Sequence, residues 1–154
     1  MKRKLILTIV LAAAAALSMQ ALKPGDLFNE FKGYDDVEHV KIPKFLFKLA
    51  MKSGDVGDIP FAGKMNGLEV LEMSDAKENI KERFDRRLTD ATRDYDKLIN
   101  VKENGTKVRI FTKKENEKYR DLYIYVKDST DCVFTKFSGT FTADDLREMV
   151  NNDK

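Results

Sequence analysis

Hydrophobic and polar residues alternate along the C-terminal half of the chain, from Lys97 onwards. A period of two is typical of a β-strand with one buried side, because successive side chains point to opposite faces of the sheet. Charged turns at residues 113–118 and 128–131 divide the later part of this pattern into strands at 119–127 and 132–138. The pattern therefore predicts a four-stranded antiparallel meander.

The dipeptide Asn104-Gly105 interrupts the first alternating run, and this pair favours the two-residue turn of a β-hairpin. Such a loop sets the register of the two strands. Leu98 and Phe111 would then lie together on one face. The opposed pairs would be Glu103 with Thr106, Val101 with Val108 and Ile99 with Ile110.

The N-terminal half mixes two periods. Residues 37–42 and 68–73 alternate as strands do, whereas residues 44–52 have the apolar spacing of a helix that begins after Pro43. Ser74 or Asp75 would cap a long helix, and Thr142 would cap a last one. The long helix is predicted because its apolar residues recur every three or four positions: Ala76, Ile80, Phe84, Leu88 and Ala91.

These elements predict an α+β domain. Its antiparallel sheet would consist of the four-stranded C-terminal meander plus one or two N-terminal strands, packed by helices on one face. The second face would gather Phe111, Tyr123 and Tyr125, joined by Phe134 from the final strand. An open aromatic face could dock a peptide, a glycan or a partner protein. Alternatively, the N-terminal segment or a helix covers this face.

The predicted helix at 44–52 carries a lysine at every fourth residue. Lys44, Lys48 and Lys52 therefore share one side. A second broad side is apolar, and we expect it to pack on the core and leave the lysines in solvent. The alternative is a basic amphipathic helix that meets a partner or an anionic membrane. The apolar side consists of Phe45, Leu46, Leu49 and Ala50.

The beginning of the chain has the composition of a cleaved signal peptide. A basic Lys-Arg-Lys start precedes an apolar run from Leu5 to Leu17, whose 13 residues fall short of the roughly 20 that a membrane-spanning helix needs. Cleavage is expected after Ala21, with Ser18 as the alternative. We therefore expect a signal peptide over 1–21, a single domain over 22–154, and a periplasmic or secreted product.

Loss of the leader changes the charge balance. The chain has 28 Lys plus Arg and 26 Asp plus Glu, and removal of the three basic residues of the leader leaves 25 against 26. A nearly neutral domain has no bulk attraction to nucleic acid, so no nucleic-acid partner is expected. The hydrophobic content of 42% predicts a folded domain and not a disordered one.

Residues that could carry catalysis are few. The chain has one cysteine, Cys132, so no disulfide can form within it, and a buried thiol is expected. The sequence lacks a phosphate loop, a metal-ligand cluster and a nucleophile motif, so neither a cofactor nor a metal is expected. The carboxylates of Asp35, Asp36 and Glu38 are the basis for a hydrolase, which would need a pocket that holds at least two of them.

Three stretches resemble family 4252 of the domains of unknown function, a group of small secreted Bacteroidetes proteins. They are the strand and Pro-initiated helix of 34–51, the stretch Gly67-Leu68-Glu69-Val70-Leu71-Glu72, and Tyr95-Asp96-Lys97-Leu98 with the meander that follows. The resemblance implies an envelope-associated domain, often encoded beside extracytoplasmic sigma-factor regulation. Many members look like lipoproteins, but this chain has no cysteine near its leader.

In such an envelope, Asp128-Ser129-Thr130 matches the acidic-hydroxyl-small pattern of O-glycosylation, which makes Ser129 a candidate modification site. The leading functional prediction is an exported, non-enzymatic domain that binds a protein, peptide or glycan. The alternatives are a component of envelope-stress or sigma-factor signalling and a carboxylate-based hydrolase. The predicted binding residues are Phe111, Tyr123, Tyr125, Lys44, Lys48 and Lys52.

Overall fold

A computed structural model describes residues 21–52 and 62–151. Apart from Ala21, the predicted signal peptide lies outside these residues. The described helices are α1 (Asp26–Phe31), α2 (Lys44–Lys52), α3 (Glu78–Ala91) and α4 (Ala143–Asn151), with a 3-10 turn at Ala62–Lys64. The described strands are β1 (Glu38–Ile42), β2 (Met65–Glu72), β3 (Asp96–Glu103), β4 (Thr106–Glu115), β5 (Lys118–Lys127) and β6 (Cys132–Phe141).

The strands of the described residues form one six-stranded antiparallel sheet in the order β1-β2-β6-β5-β4-β3. The α+β class and the antiparallel sheet are therefore confirmed. The meander from β3 to β6 forms four adjacent strands of the sheet. The N-terminal strands β1 and β2 join it because β2 pairs with β6. The last strand is thus central and not an edge, which no local pattern had indicated.

The predicted hairpin register is confirmed. Val101 pairs with Val108, and the turn residues Asn104 and Gly105 have φ values of 51° and 81°. Two successive positive φ values are the geometry that this dipeptide adopts most readily. The prediction for Leu98 is wrong, because an irregularity between Lys97 and Ile99 shifts the register there. As a result, Leu98 and Phe111 belong to different hydrophobic clusters.

Helices cover both faces of the sheet, and not one as expected. On one face, α1 and α3 enclose a cluster that we call the aromatic core. On the other face, Phe47 of α2 and Leu146 of α4 join a second cluster with Leu122 and Phe141. The aromatic core includes Phe28, Phe31, Leu71, Phe84, Leu88, Phe111, Tyr123, Tyr125 and Phe134.

The prediction of an open aromatic sheet face is therefore wrong. Phe111, Tyr123 and Tyr125 are 1%, 5% and 0% exposed. The alternative, in which helices cover this face, holds because α1 and α3 bring aromatic rings of their own. For example, the ring centroid of Phe84 lies 5.4 Å from that of Tyr125. Ring packing of this kind buries more apolar area than an open face would.

The predicted cap of the long helix is also wrong. This helix, α3, begins at Glu78, after both Ser74 and Asp75. The hydroxyl oxygen of Ser74 accepts a hydrogen bond from the backbone N–H of Cys132 at 3.0 Å. Ser74 therefore ties the end of β2 to the start of β6 and does not cap α3.

Thr142 is confirmed as the cap of α4. Its hydroxyl accepts a hydrogen bond from the N–H of Asp145 at 3.2 Å, and the Asp145 carboxylate accepts one from the N–H of Thr142 at 2.7 Å. This reciprocal pair satisfies N–H groups that a helix start leaves unpaired. The same carboxylate accepts a hydrogen bond from Lys64 Nζ at 2.5 Å, which joins α4 to the 3-10 turn before β2.

We expect Asp145→Ala to lower the free energy of unfolding by about 1 kcal/mol at neutral pH, because the carboxylate that accepts hydrogen bonds from the N–H of Thr142 and from Lys64 is lost. The pKa of Asp145 is lowered, chiefly by the hydrogen bond from Lys64. Its contribution is therefore complete above the ordinary carboxyl pKa of about 4 and disappears as the pH falls through the lowered value. Urea denaturation at pH 7 and pH 3 should show a smaller difference between the variant and the parent at pH 3.

The matched control is Asp144→Ala, because Asp144 is exposed and its ion pair with Arg147 lies at the surface. It should change stability by less than about 0.5 kcal/mol. An Asp145→Ala deficit that is equal at both pH values would contradict the role of the ionised carboxylate.

Candidate functional site

A polar cleft of about 620 Å³ lies beside the N-terminal end of α1, on the sheet face that carries the aromatic core. Its floor is a row of side chains that stand opposite one another on neighbouring strands. The row runs from Lys41 on β1 through Glu69 on β2 and Lys136 on β6 to Tyr123 on β5. The formal charges alternate along the three polar residues of the row, and the Glu69 carboxylate also lies 3.7 Å from His39 Nε2 on β1.

The cleft exists because α1 is short. Leu71 is two residues from Glu69 on β2, and Phe134 is two residues from Lys136 on β6. The apolar pair and the charged pair therefore lie on the same face of the sheet. The six residues of α1 span only about 9 Å, enough to cover the apolar row beneath them. The adjacent row is left partly open to solvent at Lys41, Glu69 and Lys136, whereas its last member, Tyr123, is buried.

The walls of the cleft add further charge. Lys23 and Asp26 contribute from the start of α1, and Lys44 from the start of α2. The end of the β4–β5 hairpin forms the opposite wall. Among the described residues, the lining includes six basic side chains, Lys23, Lys41, Lys44, Lys113, Arg120 and Lys136, and four acidic ones, Asp26, Glu69, Glu115 and Asp121.

Asp121 has the most unusual backbone in this cleft. Its φ is +57°, in the left-handed region that residues other than glycine seldom adopt. The residue sits at an irregularity between Arg120 and Leu122, and such bulges redirect side chains. Its carboxylate accepts a hydrogen bond from the N–H of Gly139 at 3.1 Å and lies 4.0 Å from Lys136 Nζ. The bulge therefore places a held carboxylate next to the charged row.

Two tyrosines complete the lining. The rings of Tyr95 and Tyr123 meet edge to face, with centroids 6.1 Å apart. Lys113 Nζ lies 5.3 Å from the centre of the Tyr95 ring, and Lys136 Nζ lies 5.9 Å from that of Tyr123. Burial raises the pKa of both phenols, and the Asp121 carboxylate raises it further. Both hydroxyls therefore stay protonated at neutral pH and can donate hydrogen bonds.

The structure brings two of the predicted binding residues together, since Tyr123 and Lys44 both line the cleft. Phe111 and Tyr125 belong to the buried core. Lys48 is exposed on α2, and the side chain of Lys52 lies outside the described part of the chain. Ser129 is exposed in the β5–β6 turn, and its modification stays a prediction.

The sequence interpretation missed Glu69, Lys136 and Asp121. A signal for the first two was present, because each charged residue interrupts the apolar side of a strand two residues from a core position. The positive φ of Asp121 had no such signal.

The residues proposed for other chemistry are not assembled into a site. Asp35, Asp36 and Glu38 are all exposed, so they do not provide the enclosed pocket that the hydrolase alternative requires. Cys132 is buried beside the Tyr125 hydroxyl at 3.8 Å, and burial raises the pKa of its thiol. Among residues 21–52 and 62–151, no group of three or more His, Cys, Asp or Glu side chains is placed to hold a metal ion.

A second surface feature lies on α2. Phe45, Leu46 and Leu49 are 64%, 46% and 59% exposed, and we call these three residues the apolar crest. The expectation that these three pack on the core is wrong, because among residues 44–49 the buried side chain is Phe47, in the second cluster with Ile42. The side chain of Ala50, also expected on the core, lies outside the described part of the chain. In the described part of the chain, no helix is long and apolar enough to cross a membrane.

Comparison with known protein families places this chain. The model of the family described as Domain of unknown function (DUF4252) matches residues 31–149, which include the sheet and most of the cleft lining. Neither the search of curated proteins nor that of solved structures returned a match. Because the family model covers most of its length, the chain belongs to the DUF4252 family.

Proposed function

We propose that this chain is an exported, non-enzymatic domain of a Bacteroidetes envelope that binds a peptide segment of a partner protein in the polar cleft. Its leader supports export, and the family resemblance supports the envelope and the phylum. The observation that carries the binding role is the row of Lys41, Glu69 and Lys136, which is partly open to solvent and lies next to the carboxylate of Asp121.

The chemistry of the cleft favours a peptide over a glycan. A volume of about 620 Å³ is of the size that ligand sites usually have. Both signs of charge line it, and a peptide can present ammonium, carboxylate and backbone groups to them at once. Glycan recognition commonly uses an exposed aromatic ring, whereas Tyr123 is 5% exposed and the half-buried ring of Tyr95 already has Lys113 Nζ at 5.3 Å from its centre.

The first experiment identifies the peptide. A photoreactive amino acid at position 29 should crosslink, in living cells, to a specific segment of an envelope protein, because Asn29 is exposed at the cleft and its replacement leaves the charged row in place. The same amino acid at position 102, on the edge strand β3, is the control. N-terminal sequencing of the recovered chain tests cleavage after Ala21. Equal crosslinking from both positions would contradict the cleft.

The second experiment measures affinity for the synthetic segment. We expect Lys41→Glu to raise Kd at least tenfold, which corresponds to about 1.4 kcal/mol, because the reversed charge opposes an acidic group of the peptide and disturbs the row beside Glu69. Lys102→Glu makes the same change in an exposed lysine of β3 and should leave Kd unchanged. Isothermal titration calorimetry provides both values, and an equal loss in the two variants would reject the cleft as the binding site.

The signalling role in an envelope-stress or sigma-factor system stays a prediction that rests on the resemblance alone.

A further inference from the structure

The apolar crest of α2 projects from the domain surface. Phe45 and Leu49 are one helical turn apart, so they share a side, and Phe47 lies nearly opposite them. Phe45 is 64% exposed and Leu49 is 59% exposed, whereas Phe47 is 5% exposed. Among the side chains described for residues 44–49, the helix therefore buries the ring of Phe47 and presents large apolar side chains to the outside, an arrangement that marks an interaction surface.

The charge around the crest has one sign. Lys44 and Lys48 are exposed on α2, one turn apart. In the sequence, no acidic residue occurs between Glu38 and Asp55, whereas four lysines do. Two crests placed against each other would bring these like charges together, which disfavours a second copy as the occupant. An anionic surface with an apolar interior complements both the exposed apolar side chains and the positive charge around them.

We propose that α2 is an interfacial anchor for an anionic lipid bilayer. The apolar crest enters the boundary between headgroups and acyl chains, while Lys44 and Lys48 extend their ammonium groups to the lipid phosphates. The helix lies in the plane of the membrane and does not cross it. Because Lys44 also lines the polar cleft, this contact holds the cleft at the membrane surface.

The chain contains no tryptophan, so a single introduced indole reports on its own position. The full chain with Phe45→Trp is mixed with brominated phosphatidylcholine vesicles that contain about 30% phosphatidylglycerol, a source of negative surface potential. We expect a blue shift and quenching of the fluorescence, and neither with phosphatidylcholine alone. Val101→Trp is the control, because Val101 is an exposed apolar residue on the opposite edge strand. Its fluorescence should not change.

A charge variant tests the role of the lysines and leaves the cleft lining intact. Combined with Phe45→Trp, Lys48→Glu should weaken partitioning into the anionic vesicles by at least about fivefold. Lys102→Glu in the same background should have no effect. A failure of peptide binding would not alter these results, so the two proposals fail separately.

Three results would overturn the anchor. One is an unchanged emission spectrum of the indole at position 45 in the presence of anionic vesicles. Another is equal quenching at positions 45 and 101, which would indicate general adsorption or binding through the leader. The third is a blue shift that depends on protein concentration without lipid, which would identify a second copy as the occupant.

Discussion

Replacing Phe84 by alanine should lower the free energy of unfolding by about 3–5 kcal/mol. The ring of Phe84 is fully buried, and its centroid lies 5.0 Å from that of Phe31 and 5.1 Å from that of Phe134. It therefore joins α3 to both α1 and the sheet. Truncation removes the contacts between these layers and leaves a cavity that aromatic neighbours cannot readily fill. Urea denaturation followed by far-UV circular dichroism measures the loss.

Phe45→Ala is the matched control, because it removes the same atoms from an exposed ring on α2. Its effect should stay below about 0.5 kcal/mol. Because a domain has only about 5–15 kcal/mol of stability, Phe84→Leu provides a milder variant if the alanine variant is partly unfolded. A loss from Phe45→Ala equal to that from Phe84→Ala would contradict the placement of the two rings.

Gly139→Ala should lower the free energy of unfolding by about 1–3 kcal/mol, because the added methyl group has no room. A Cβ at this position would lie 2.5 Å from the backbone oxygen of Lys64 and 3.1 Å from the ring of Phe141. Gly139 pairs with Met65 where β2 meets the 3-10 turn, so the nearer obstacle is backbone. The turn must move before the methyl group fits.

The control for this substitution is Gly63→Ala, in the same 3-10 turn. A Cβ there meets no heavy atom of the described residues within 4 Å, so stability should change by less than about 0.5 kcal/mol. Thermal unfolding of both variants and the parent gives the comparison. An unaffected Gly139→Ala variant would show that β6 and the turn do not approach this closely.

Short-range patterns led to correct predictions where the controlling interactions are local. The hairpin at Asn104-Gly105 has the expected register because a two-residue loop leaves little choice of strand pairing. The cap at Thr142 is correct because its partner, Asp145, is three residues away. Ser74 shows the limit of such patterns. Its hydroxyl bonds to Cys132, a partner that is distant in the sequence and adjacent only once β2 and β6 have paired.

Long-range packing determined which surfaces of the sheet and of α2 are buried and which are exposed. Both sides of the sheet carry large apolar residues, so alternation alone does not tell which side the helices cover. In α2 the apolar residues Phe45, Leu46, Phe47 and Leu49 occupy a wide arc beside the lysines, and so wide an arc does not determine which part of it faces inward. The contact of Phe47 with the second cluster turns the Phe47 side of α2 inward, and the apolar crest on the other side is therefore exposed.

Local periodicity and turn chemistry in these 154 residues were therefore enough to establish the α+β class, the hairpin and the final helix cap. The pairing of β2 with β6, the burial of the aromatic residues and the charged row of the cleft arose from assembly. The reason is that Lys41, Glu69, Lys136 and Tyr123 lie on four separate strands, and they become neighbours when the sheet order brings those strands together.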